Sequence, residues 1–347
     1  MKSSTKTIGK RKVAVVVTSI SPPNKILRAI AKGSQKHGAE FIVIGDTKSP
    51  ADFELKNCRF YGIAQQEKLE FGFAGLCPTR HYARKNIGYL IALAEGAEVI
   101  IETDDDNIPT DGFWDERVRL RKVRASRNAG WLNVYSYFSD ENIWPRGLPL
   151  GQIRARQPAF NSLKTATVDS PIQQGLADDN PDVDALYRLV LPLPQRFRAN
   201  REVALGAGSW SPFNSQNTTW WREAAALMYL PAYCSFRMTD IWRSFVAQRI
   251  AWENEWSVLY HSPTVRQERN EHDLMRDFKD EIPGYVNNSA IQAALDALKL
   301  ERGVANIPGN LRTCYLALVD MKIVDEKELP LLDAWLRDLE NIFQKVK

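Results

Sequence analysis

The first hundred residues alternate short, strongly apolar runs with segments of helical periodicity. The runs are 13–20, 41–45 and 98–102, and they are rich in Val and Ile. The segments 24–36 and 81–95 place apolar residues at helical spacing. Continuous apolar runs are typical of strands buried on both faces, as in parallel sheets. The alternation therefore predicts an α/β protein with a mostly parallel central sheet and flanking helices.

The rest of the chain is predicted to be less regular until its C-terminal part. Residues 131–160 and 206–220 are rich in polar residues, Gly, Pro or Trp and are predicted to be mainly loops. Residues 173–188 are predicted to be a loop that enters a helix. Residues 239–256 have the spacing of a helix, and from about residue 265 the chain is expected to be mainly helical.

Three consecutive aspartates, Asp104, Asp105 and Asp106, follow the third apolar run. Adjacent carboxylates repel one another unless a cation neutralises them, and hard divalent cations prefer oxygen ligands. Residues i and i+2 of an extended segment point the same way, so Asp104 and Asp106 are predicted to face one Mg²⁺ or Mn²⁺ ion. Such an ion can bridge the phosphates of a nucleotide diphosphate and stabilise a leaving group. An acidic turn without a metal is the alternative.

The same edge of the sheet is expected to collect other polar side chains. Ligands of α/β sheets bind outside the carboxyl ends of the strands. Thr18 and Asp46 follow the first two runs, so one crevice is predicted to gather them with the aspartates. Three cations that precede or open the helix before the aspartates are candidates for binding phosphate: Arg80, Arg84 and Lys85.

Composition argues against several classes of protein. The 46 basic and 42 acidic residues leave a net charge of +4, so no nucleic-acid partner is expected. The four cysteines are far apart, which argues against a zinc ribbon or a disulfide scaffold and is typical of a reducing cytosol. The run 13–20 is too short to span a bilayer, so no membrane anchor is expected. The densest basic run, 117–127, is interpreted as a solvated helix face or as a contact for phosphates, anionic glycans or lipid headgroups.

Long blocks of the sequence resemble the STELLO family of glycosyltransferases. The resemblance extends over about residues 13–280 and is far more specific than a pair of aspartates. It is carried by VVVTSISP (15–22), IVIGDTKSPADF (42–53), YARKNIGYL (82–90), IETDDDNIP (101–109), WPRGLPL (144–150), PIQQGLADDNPDVDALYRL (171–189), PFNSQNT (212–218), FRMTDIWRSFVAQR (236–249) and PTVRQERNEHDLMRDF (263–278).

The resemblance implies a GT-A-like fold with a Rossmann-like sheet and a nucleotide-sugar donor, with UDP the default for metal-dependent enzymes of this type. It implies transfer of a hexosyl or pentosyl group to a glycan or glycolipid acceptor, in cell-surface polysaccharide assembly. Plant members are Golgi membrane proteins associated with cellulose synthesis. This sequence departs from them because it lacks their transmembrane anchor, so we expect a soluble, cytoplasmic microbial member. A peripheral membrane contact and a homo-oligomeric state are left open.

On this basis the chain is expected to divide into a flexible N-terminus, a GT-A-like catalytic domain and a C-terminal helical region. The expected bounds are 1–12, 13–264 and 265–347. Within the catalytic domain we expect a nucleotide-binding half, 13–110, and an acceptor half, 111–264.

The resemblance also implies roles for individual residues. Thr18 and Asp46 would hold the base and ribose, Arg84 would reach the diphosphate, and the aspartates would bind metal and ribose. A later histidine serves as a further metal ligand in some GT-A enzymes; His272 is the first candidate and His261 the second, and a structural histidine is the alternative.

An inverting transferase needs a carboxylate base to deprotonate the acceptor hydroxyl. Asp240 is the predicted base, and a helix N-cap without chemistry is the alternative. Asp178 and Asp179 are further candidates, in a loop that would close over the acceptor. The remaining candidates for binding acceptor hydroxyls are amides, which both donate and accept, and the neighbours of Asp240: Gln173, Gln174, Asn214, Gln216, Trp242 and Arg243.

Two other functions remain open at this point. A nucleotide-sugar mutase on a related fold would use the same acidic segment and need no acceptor. An inactive scaffold with a transferase fold would bind neither nucleotide nor metal.

Overall fold

The computed structural model describes residues 11–270 and 273–345. The predicted N-terminal segment 1–12 therefore falls outside it, apart from its last two residues. The strands are β1 (Val13–Thr18), β2 (Glu40–Ile44), β3 (Arg59–Tyr61), β4 (Val99–Thr103), β5 (Asn107–Pro109), β6 (Leu120–Ser126), β7 (Gly130–Trp131), β8 (Lys164–Asp178), β9 (Glu202–Leu205), β10 (Ser209–Trp210), β11 (Asn217–Trp221) and β12 (Trp256–Gln267). The helices are α1 (Lys25–His37), α2 (Ile63–Gln66), α3 (Gly72–Leu76), α4 (Lys85–Ala94), α5 (Ala185–Val190), α6 (Thr239–Trp252), α7 (Leu274–Ala297), α8 (Ile307–Asp320) and α9 (Glu328–Lys345).

The first four strands of the main sheet form the predicted parallel unit, in the order β3-β2-β1-β4. Strand β1 is buried on both faces, which explains its continuous apolar sequence. Val15 and Val17 pack in a core with α1, whereas Val16 packs with α4 in the core on the other face. The β-α-β prediction for this part of the chain is thus confirmed.

Beyond β4 the sheet is mixed, and the prediction of a mostly parallel sheet is wrong there. Strand β11 runs antiparallel to β4 and β8, and β12 runs antiparallel to β9 and β5. These strands are not joined by the helical crossovers that keep neighbours parallel. Strand β8 pairs with both β6 and β12, and β9 pairs with the same two strands. The four strands β8, β6, β9 and β12 therefore close into a small ring.

Three local predictions also need correction. Residues 173–178 belong to β8 and residues 217–220 to β11, where loops were expected. The basic run forms β6 rather than a helix. The reason for the β11 error is that its polar side chains are buried and paired: Thr218 Oγ1 donates to the backbone oxygen of Asn214 at 2.6 Å, and Asn217 Nδ2 donates to Thr264 Oγ1 at 2.9 Å.

The C-terminal helices share the main core with the sheet. Ile291 of α7, Tyr315 of α8 and Trp335 of α9 are buried in the same cluster as Val16 and the inner residues of α4. Strand β12 crosses the predicted boundary at residue 264, so the helical part begins at α7. Across the described residues, no helix has the length and apolar character needed to cross a membrane.

A buried ion pair connects the sheet to α6. Arg243 Nη1 donates to Glu102 Oε2 at 2.9 Å, and Trp220 Nε1 donates to Glu102 Oε1 at 2.8 Å. Both charged side chains are fully buried. A buried pair need not stabilise a fold more than apolar residues would, but removal of one partner leaves an uncompensated charge.

Glu102→Gln is therefore expected to lower the free energy of unfolding by about 3–5 kcal/mol, measured by urea denaturation. Asp333→Asn provides the matched control, because Asp333 pairs with Arg312 at 3.0 Å on the surface. That change is expected to cost less than about 1 kcal/mol. Equal effects of the two substitutions would contradict the assignment of Glu102 and Arg243 as a structural pair.

Candidate functional site

The three aspartates lie where the carboxyl ends of β1 and β4 meet. Asp104 directly follows β4, and β1 runs parallel beside β4. Ser19, one residue beyond β1, donates from Oγ to Asp105 Oδ2 at 2.5 Å. Asn24, the N-cap of α1, donates from Nδ2 to the backbone oxygen of Asp105 at 2.9 Å. The acidic segment is thus tied to the loop between β1 and α1.

Asp104 is paired with a buried lysine. Lys85 Nζ lies 2.7 Å from Asp104 Oδ1 and donates to the backbone oxygen of Thr103 at 3.0 Å. Helix α4 can bring Lys85 this close because it carries Gly88, where a Cβ would lie 2.5 Å from Val16 Cγ1. Burial raises the pKa of Asp104, and Lys85 opposes that rise without cancelling it.

Asp106 has no cationic partner in the part of the chain that the structure describes. Strand β5 pairs with the end of β12, and this places Gln267 Nε2 3.1–3.2 Å from both carboxylate oxygens of Asp106. Burial, and then the negative charge of Asp104, raise the pKa of Asp106 to about 7. The acidic segment therefore carries more negative charge than its protein partners neutralise.

The aspartates line a cleft of about 230 Å³. Its walls carry five carboxylates and three guanidiniums, an excess of two negative charges when all of them are ionised. The lining residues are Thr18, Tyr82, Asp104, Asp105, Asp106, Arg146, Asp182, Ser215, Gln216, Phe236, Arg237, Asp240, Gln267 and Arg269. We call this the acidic cleft.

Arg146 lies between two further carboxylates of the acidic cleft. Its Nε and Nη2 donate to the two oxygens of Asp182, both at 2.8 Å, and Nη2 also lies 3.1 Å from each oxygen of Asp240. Asn214 Nδ2 donates to Asp182 Oδ2 at 2.9 Å. All three charged side chains are largely buried. Arg146 therefore fixes these two carboxylates relative to each other, with a bidentate contact to Asp182.

Asp240 accepts more hydrogen bonds than Asp182. Besides Arg146, the hydroxyl of Tyr82 donates to its Oδ1 at 3.3 Å, and the backbone nitrogen of Ser215 donates to its Oδ2 at 3.1 Å. Burial alone would raise the pKa of Asp240, but the positive charges of Arg146 and Arg243 outweigh burial and leave it lowered. Asp240 is therefore ionised at neutral pH.

Two more arginines reach the acidic cleft from the segments beside α6 and α7. Arg237 Nη2 lies 2.9 Å from Glu281 Oε1, and Arg269 Nη2 lies 2.8 Å from Asp277 Oδ2. Burial, and then the neighbouring charge of Arg237, lower the pKa of Arg269. A bound anion would relieve this repulsion between guanidiniums.

The structure brings together only part of the predicted donor and acceptor residues. Thr18, the three aspartates, Gln216 and Asp240 line the acidic cleft, and Asn214 contacts it through Asp182. Arg80 is exposed and does not line the cleft. Arg84 is buried with its guanidinium donating to Gln66 Oε1 and the backbone oxygen of Cys77, so it is directed elsewhere.

Several predicted acceptor residues lie outside the acidic cleft. Trp242 and Arg243 face the core, where Trp242 Nε1 donates to Asn288 Oδ1 at 2.8 Å. Gln174 accepts from the backbone of Asn214 behind the cleft. Asp178 accepts from the backbone nitrogen of Phe197, and Asp179 pairs with Arg196 and Arg266. Gln173 and His261 line a different cleft.

Asp46 lines a neighbouring cleft of about 850 Å³ together with the stacked rings of Phe53 and Phe60. Ser49 connects this cleft to the acidic one. Its Oγ accepts from the Asp46 backbone at 2.8 Å and donates to the backbone oxygen of Ser19 at 2.7 Å. The two clefts therefore adjoin at the ends of β1 and β2.

The donor set fits a divalent cation only in part. Within residues 11–270 and 273–345, no three His, Cys, Asp or Glu side chains converge to hold a metal ion. His272 lies outside the described residues. The available oxygen ligands are the carboxylate of Asp106, the oxygen of Asp104 that does not contact Lys85, and the oxygen of Asp105 that does not contact Ser19. Such a set suits Mg²⁺ or Mn²⁺ when a substrate's phosphates supply the remaining ligands.

Five charged or phenolic residues of the acidic cleft carry no role in the sequence analysis: Tyr82, Arg146, Asp182, Arg237 and Arg269. Each stands inside a block that carries the family resemblance. The sequence shows only that all five are polar side chains within these blocks. This property does not by itself distinguish a residue that lines a cleft from a residue on the surface.

Comparisons with known proteins find similarity to one family of glycosyltransferases. Residues 237–346 match a family model described as STELLO glycosyltransferases. The chain is 27% identical over 352 residues to "Probable glycosyltransferase STELLO2" of Arabidopsis thaliana, covering 94% of this chain and 44% of the relative. It is 26% identical over 345 residues to "Probable glycosyltransferase STELLO1" of the same plant, again covering 94% and 44%. The chain thus spans less than half the length of these relatives.

A comparison of folds gives a weaker likeness. A structure described as "Crystal Structure of a Mycobacterial Protein" is similar with a TM-score of 0.40 and 10% identity, over 82% of this chain and 75% of that one. This likeness is too low to carry an assignment of fold or function.

Proposed function

Because the chain belongs to the STELLO family of glycosyltransferases, we propose that it transfers a sugar from a nucleotide-diphosphate sugar to a hydroxyl group of a glycan or glycolipid. We propose UDP as the nucleotide, a hexosyl or pentosyl group as the sugar, and cell-surface polysaccharide assembly as the setting. One observation supports this most: the acidic segment after β4 and the cluster of Asp182, Arg146 and Asp240 line the same cleft.

The donor is proposed to lie across the two adjoining clefts. The nucleoside would occupy the larger cleft beside Asp46, where Phe53 and Phe60 supply apolar surface. The diphosphate would then extend toward the acidic cleft. There Arg237 and Arg269 are partly buried guanidiniums next to one another, and guanidiniums bind phosphate oxygens well.

A divalent cation is part of this proposal. Asp106 and Asp104 would hold it, with Asp105 beside them, and phosphate oxygens would complete its ligands. When bound, it would neutralise the charge that develops on the leaving diphosphate. The excess of two negative charges on the cleft walls and the raised pKa of Asp106 support a cation at this position.

The chemistry is a substitution at the anomeric carbon of the donor sugar. The acceptor oxygen forms the new bond, the bond from the anomeric carbon to the diphosphate oxygen breaks, and the leaving nucleotide diphosphate keeps the electron pair. The acceptor proton passes to a carboxylate of the cleft. Asp240 and Asp182 are the candidates, and Arg146 holds both in fixed orientation.

Nucleotide diphosphates provide the direct test. We expect UDP to raise the melting temperature of the protein by several degrees in the presence of Mn²⁺ and much less in EDTA, because a ligand of the folded state stabilises it. The measurement is a thermal-shift panel of UDP, GDP, CDP and ADP, each with and without the metal.

The unrelated nucleotides and EDTA serve as internal controls of this panel. Absence of any shift would favour an inactive scaffold over a transferase. A shift followed by sugar rearrangement without an acceptor would instead favour a nucleotide-sugar mutase.

A further inference from the structure

A third and larger cleft lies against the ring of β6, β8, β9 and β12. It measures about 1,090 Å³ and shares no lining residue with the acidic cleft. Cross-strand pairing places His261 beside Glu202 and Leu259 beside Gln173, so these side chains share one face of the curled sheet. Arg121 joins them through an ion pair with Glu202 at 2.9 Å. We call this the basic cleft.

The charge of the basic cleft is opposite to that of the acidic cleft. Its lining carries five cations, Arg117, Arg121, Lys122, Arg124 and Arg201, against three carboxylates. Only the Arg121 guanidinium lies within 4 Å of a carboxylate among the described residues. The cleft therefore retains positive charge that the protein does not pair, and such charge attracts an anion.

Three of these arginines are held in place by backbone carbonyls instead of carboxylates. Arg117 Nη1 donates to the backbone oxygen of Asp115 at 2.8 Å, Arg124 Nη1 donates to that of Leu163 at 2.9 Å, and Arg201 Nη1 donates to that of Tyr137. Arg124 and Arg201 also lie over the ring of Phe160, at 5.1 and 4.6 Å from its centroid. These contacts orient the guanidiniums without neutralising their positive charge, so they can still bind an anion.

The basic cleft contains a buried amide oxygen, that of Gln173, to which none of the described residues donates a hydrogen bond. Gln173 is 0% exposed and lines the cleft. Its Nε2 donates to the backbone oxygens of Val118 and Ser170 at 3.0 and 3.1 Å, and this fixes which end of the amide is the oxygen. Within residues 11–270 and 273–345, no group donates a hydrogen bond to Gln173 Oε1. An unmade hydrogen bond at a buried acceptor is costly, so this atom favours a ligand that carries a donor.

His261 provides a second acceptor on the same face. Its Nδ1 lies 2.9 Å from the backbone oxygen of Ser262, which can only accept, so Nδ1 carries the proton and Nε2 is left with a lone pair. Burial, and then the positive charge of Arg117, lower the pKa of His261 to about 3. The ring therefore stays neutral and offers Nε2 to a donor at neutral pH.

We propose that the basic cleft binds an anionic saccharide, a sugar unit that carries a carboxylate or a phosphate. The unpaired guanidiniums meet its charge, and Gln173 Oε1 and His261 accept hydrogen bonds from its hydroxyl groups. Inorganic sulfate meets only the first requirement, because at neutral pH it has no donor for Gln173. The proposal does not depend on the reaction assigned to the acidic cleft.

The test is direct binding by isothermal titration calorimetry, without nucleotide or divalent metal, so failure of the proposed transferase function would not affect it. The probes are tetragalacturonate, glucose 6-phosphate, the neutral maltotetraose and inorganic sulfate. We expect one or both anionic saccharides to bind and the neutral one not to bind. Tetragalacturonate alone would identify a carboxylate sugar, and glucose 6-phosphate alone a sugar phosphate. Binding should weaken as salt rises, because the charges of the cleft are partly exposed.

Variants locate the binding. Arg124→Gln combined with Arg201→Gln is expected to weaken binding roughly tenfold or more. Arg196→Gln is the matched control, since Arg196 is exposed and outside the cleft, and it should leave binding unchanged. Gln173→Met should weaken saccharide binding while leaving the weak binding of sulfate as it was. The double arginine variant remains decisive if Gln173→Met does not fold.

Four results would overturn the proposal. The first three are equal affinity for maltotetraose and tetragalacturonate, affinity for inorganic sulfate equal to that for the anionic saccharides, and unchanged affinity in the folded double arginine variant. Failure of both anionic saccharides to bind at millimolar concentration would overturn it as well.

Discussion

Asp106→Asn protein is expected to fold at least as stably as the wild type and to lose Mn²⁺-dependent binding of a nucleotide diphosphate. The structural reason is the environment of this carboxylate. It is buried, it has no cationic partner among the described residues, and Gln267 is its hydrogen-bonding side chain. An amide at this position keeps a hydrogen bond to Gln267 and cannot supply a charged oxygen to a cation.

The stability part of this prediction follows from the raised pKa of Asp106. A carboxyl group whose pKa in the folded state exceeds its ordinary value favours the protonated form, so its ionisation at neutral and higher pH opposes folding. Asn removes that ionisation. The melting temperature of the metal-free variant at pH 8 is therefore expected to equal or exceed that of the wild type.

Asp104→Asn should behave differently, although it is also expected to lose metal-dependent binding. Lys85 is fully buried and pairs with Asp104, so this change leaves a buried cation without its charged partner and should make the variant less stable than Asp106→Asn. The contrast separates the two aspartates in one experiment. Asp111→Asn, an exposed carboxylate close by in the sequence, is the control for a loss of one negative charge.

The measurement is calorimetric titration of UDP into each variant with Mn²⁺, together with melting curves in EDTA. Unchanged affinity in folded Asp106→Asn would remove this residue from the metal site. A large loss of stability in the same variant would show that its charge is compensated in the folded protein.

The sequence predicts the parallel part of the fold well because that part is buried on both faces. In β1, burial of successive valines against α1 and α4 leaves no room for polar residues, so the apolar run has a single interpretation. The position of Asp104 at the carboxyl end of β4 follows from the same pattern. The convergence of the aspartates with Ser19 could thus be expected from strand direction alone.

The predictions fail where polar residues are buried by pairing with one another. Asn217 and Thr218 form a central strand because their side chains bond to neighbouring polar groups, whereas a polar run in a sequence is usually a loop. Helix α6 poses a similar difficulty, since nearly all of its sides are buried. Trp242 and Arg243 therefore belong to the core, although a charged residue beside Asp240 suggests a binding surface. The partners of Arg146 come from segments 36 and 94 residues away, which spacing along the chain does not reveal.

Asp240→Asn is expected to lower the rate of sugar transfer by roughly 10²–10⁴-fold while donor binding persists. Its carboxylate lines the acidic cleft, is ionised at neutral pH and is fixed by Arg146. Loss of the charge removes either the base itself or the group that orients Arg146. Donor affinity should be retained, because the proposed metal ligands follow β4 and the proposed phosphate ligands, Arg237 and Arg269, pair with Glu281 and Asp277 instead of Asp240.

Asp182 must be compared with Asp240, because its carboxylate accepts fewer hydrogen bonds. Donors from Arg146, Tyr82 and Ser215 surround both oxygens of Asp240, whereas Arg146 Nε is the one donor to Asp182 Oδ1 among the described residues. A base must have a lone pair free for the acceptor proton, which favours Asp182 Oδ1 on geometry. Asp182→Asn is therefore expected to lose transfer to a similar extent.

The pH dependence of transfer distinguishes the two carboxylates. In a transferase with a carboxylate base, the rate falls at acidic pH as that base becomes protonated. The variant that lacks the base should keep a low residual rate without this acidic decline, whereas loss of a positioning residue should lower the rate and retain the decline. Normal turnover in folded Asp240→Asn would remove Asp240 from both roles, and normal turnover in both variants would place the base outside the cluster around Arg146.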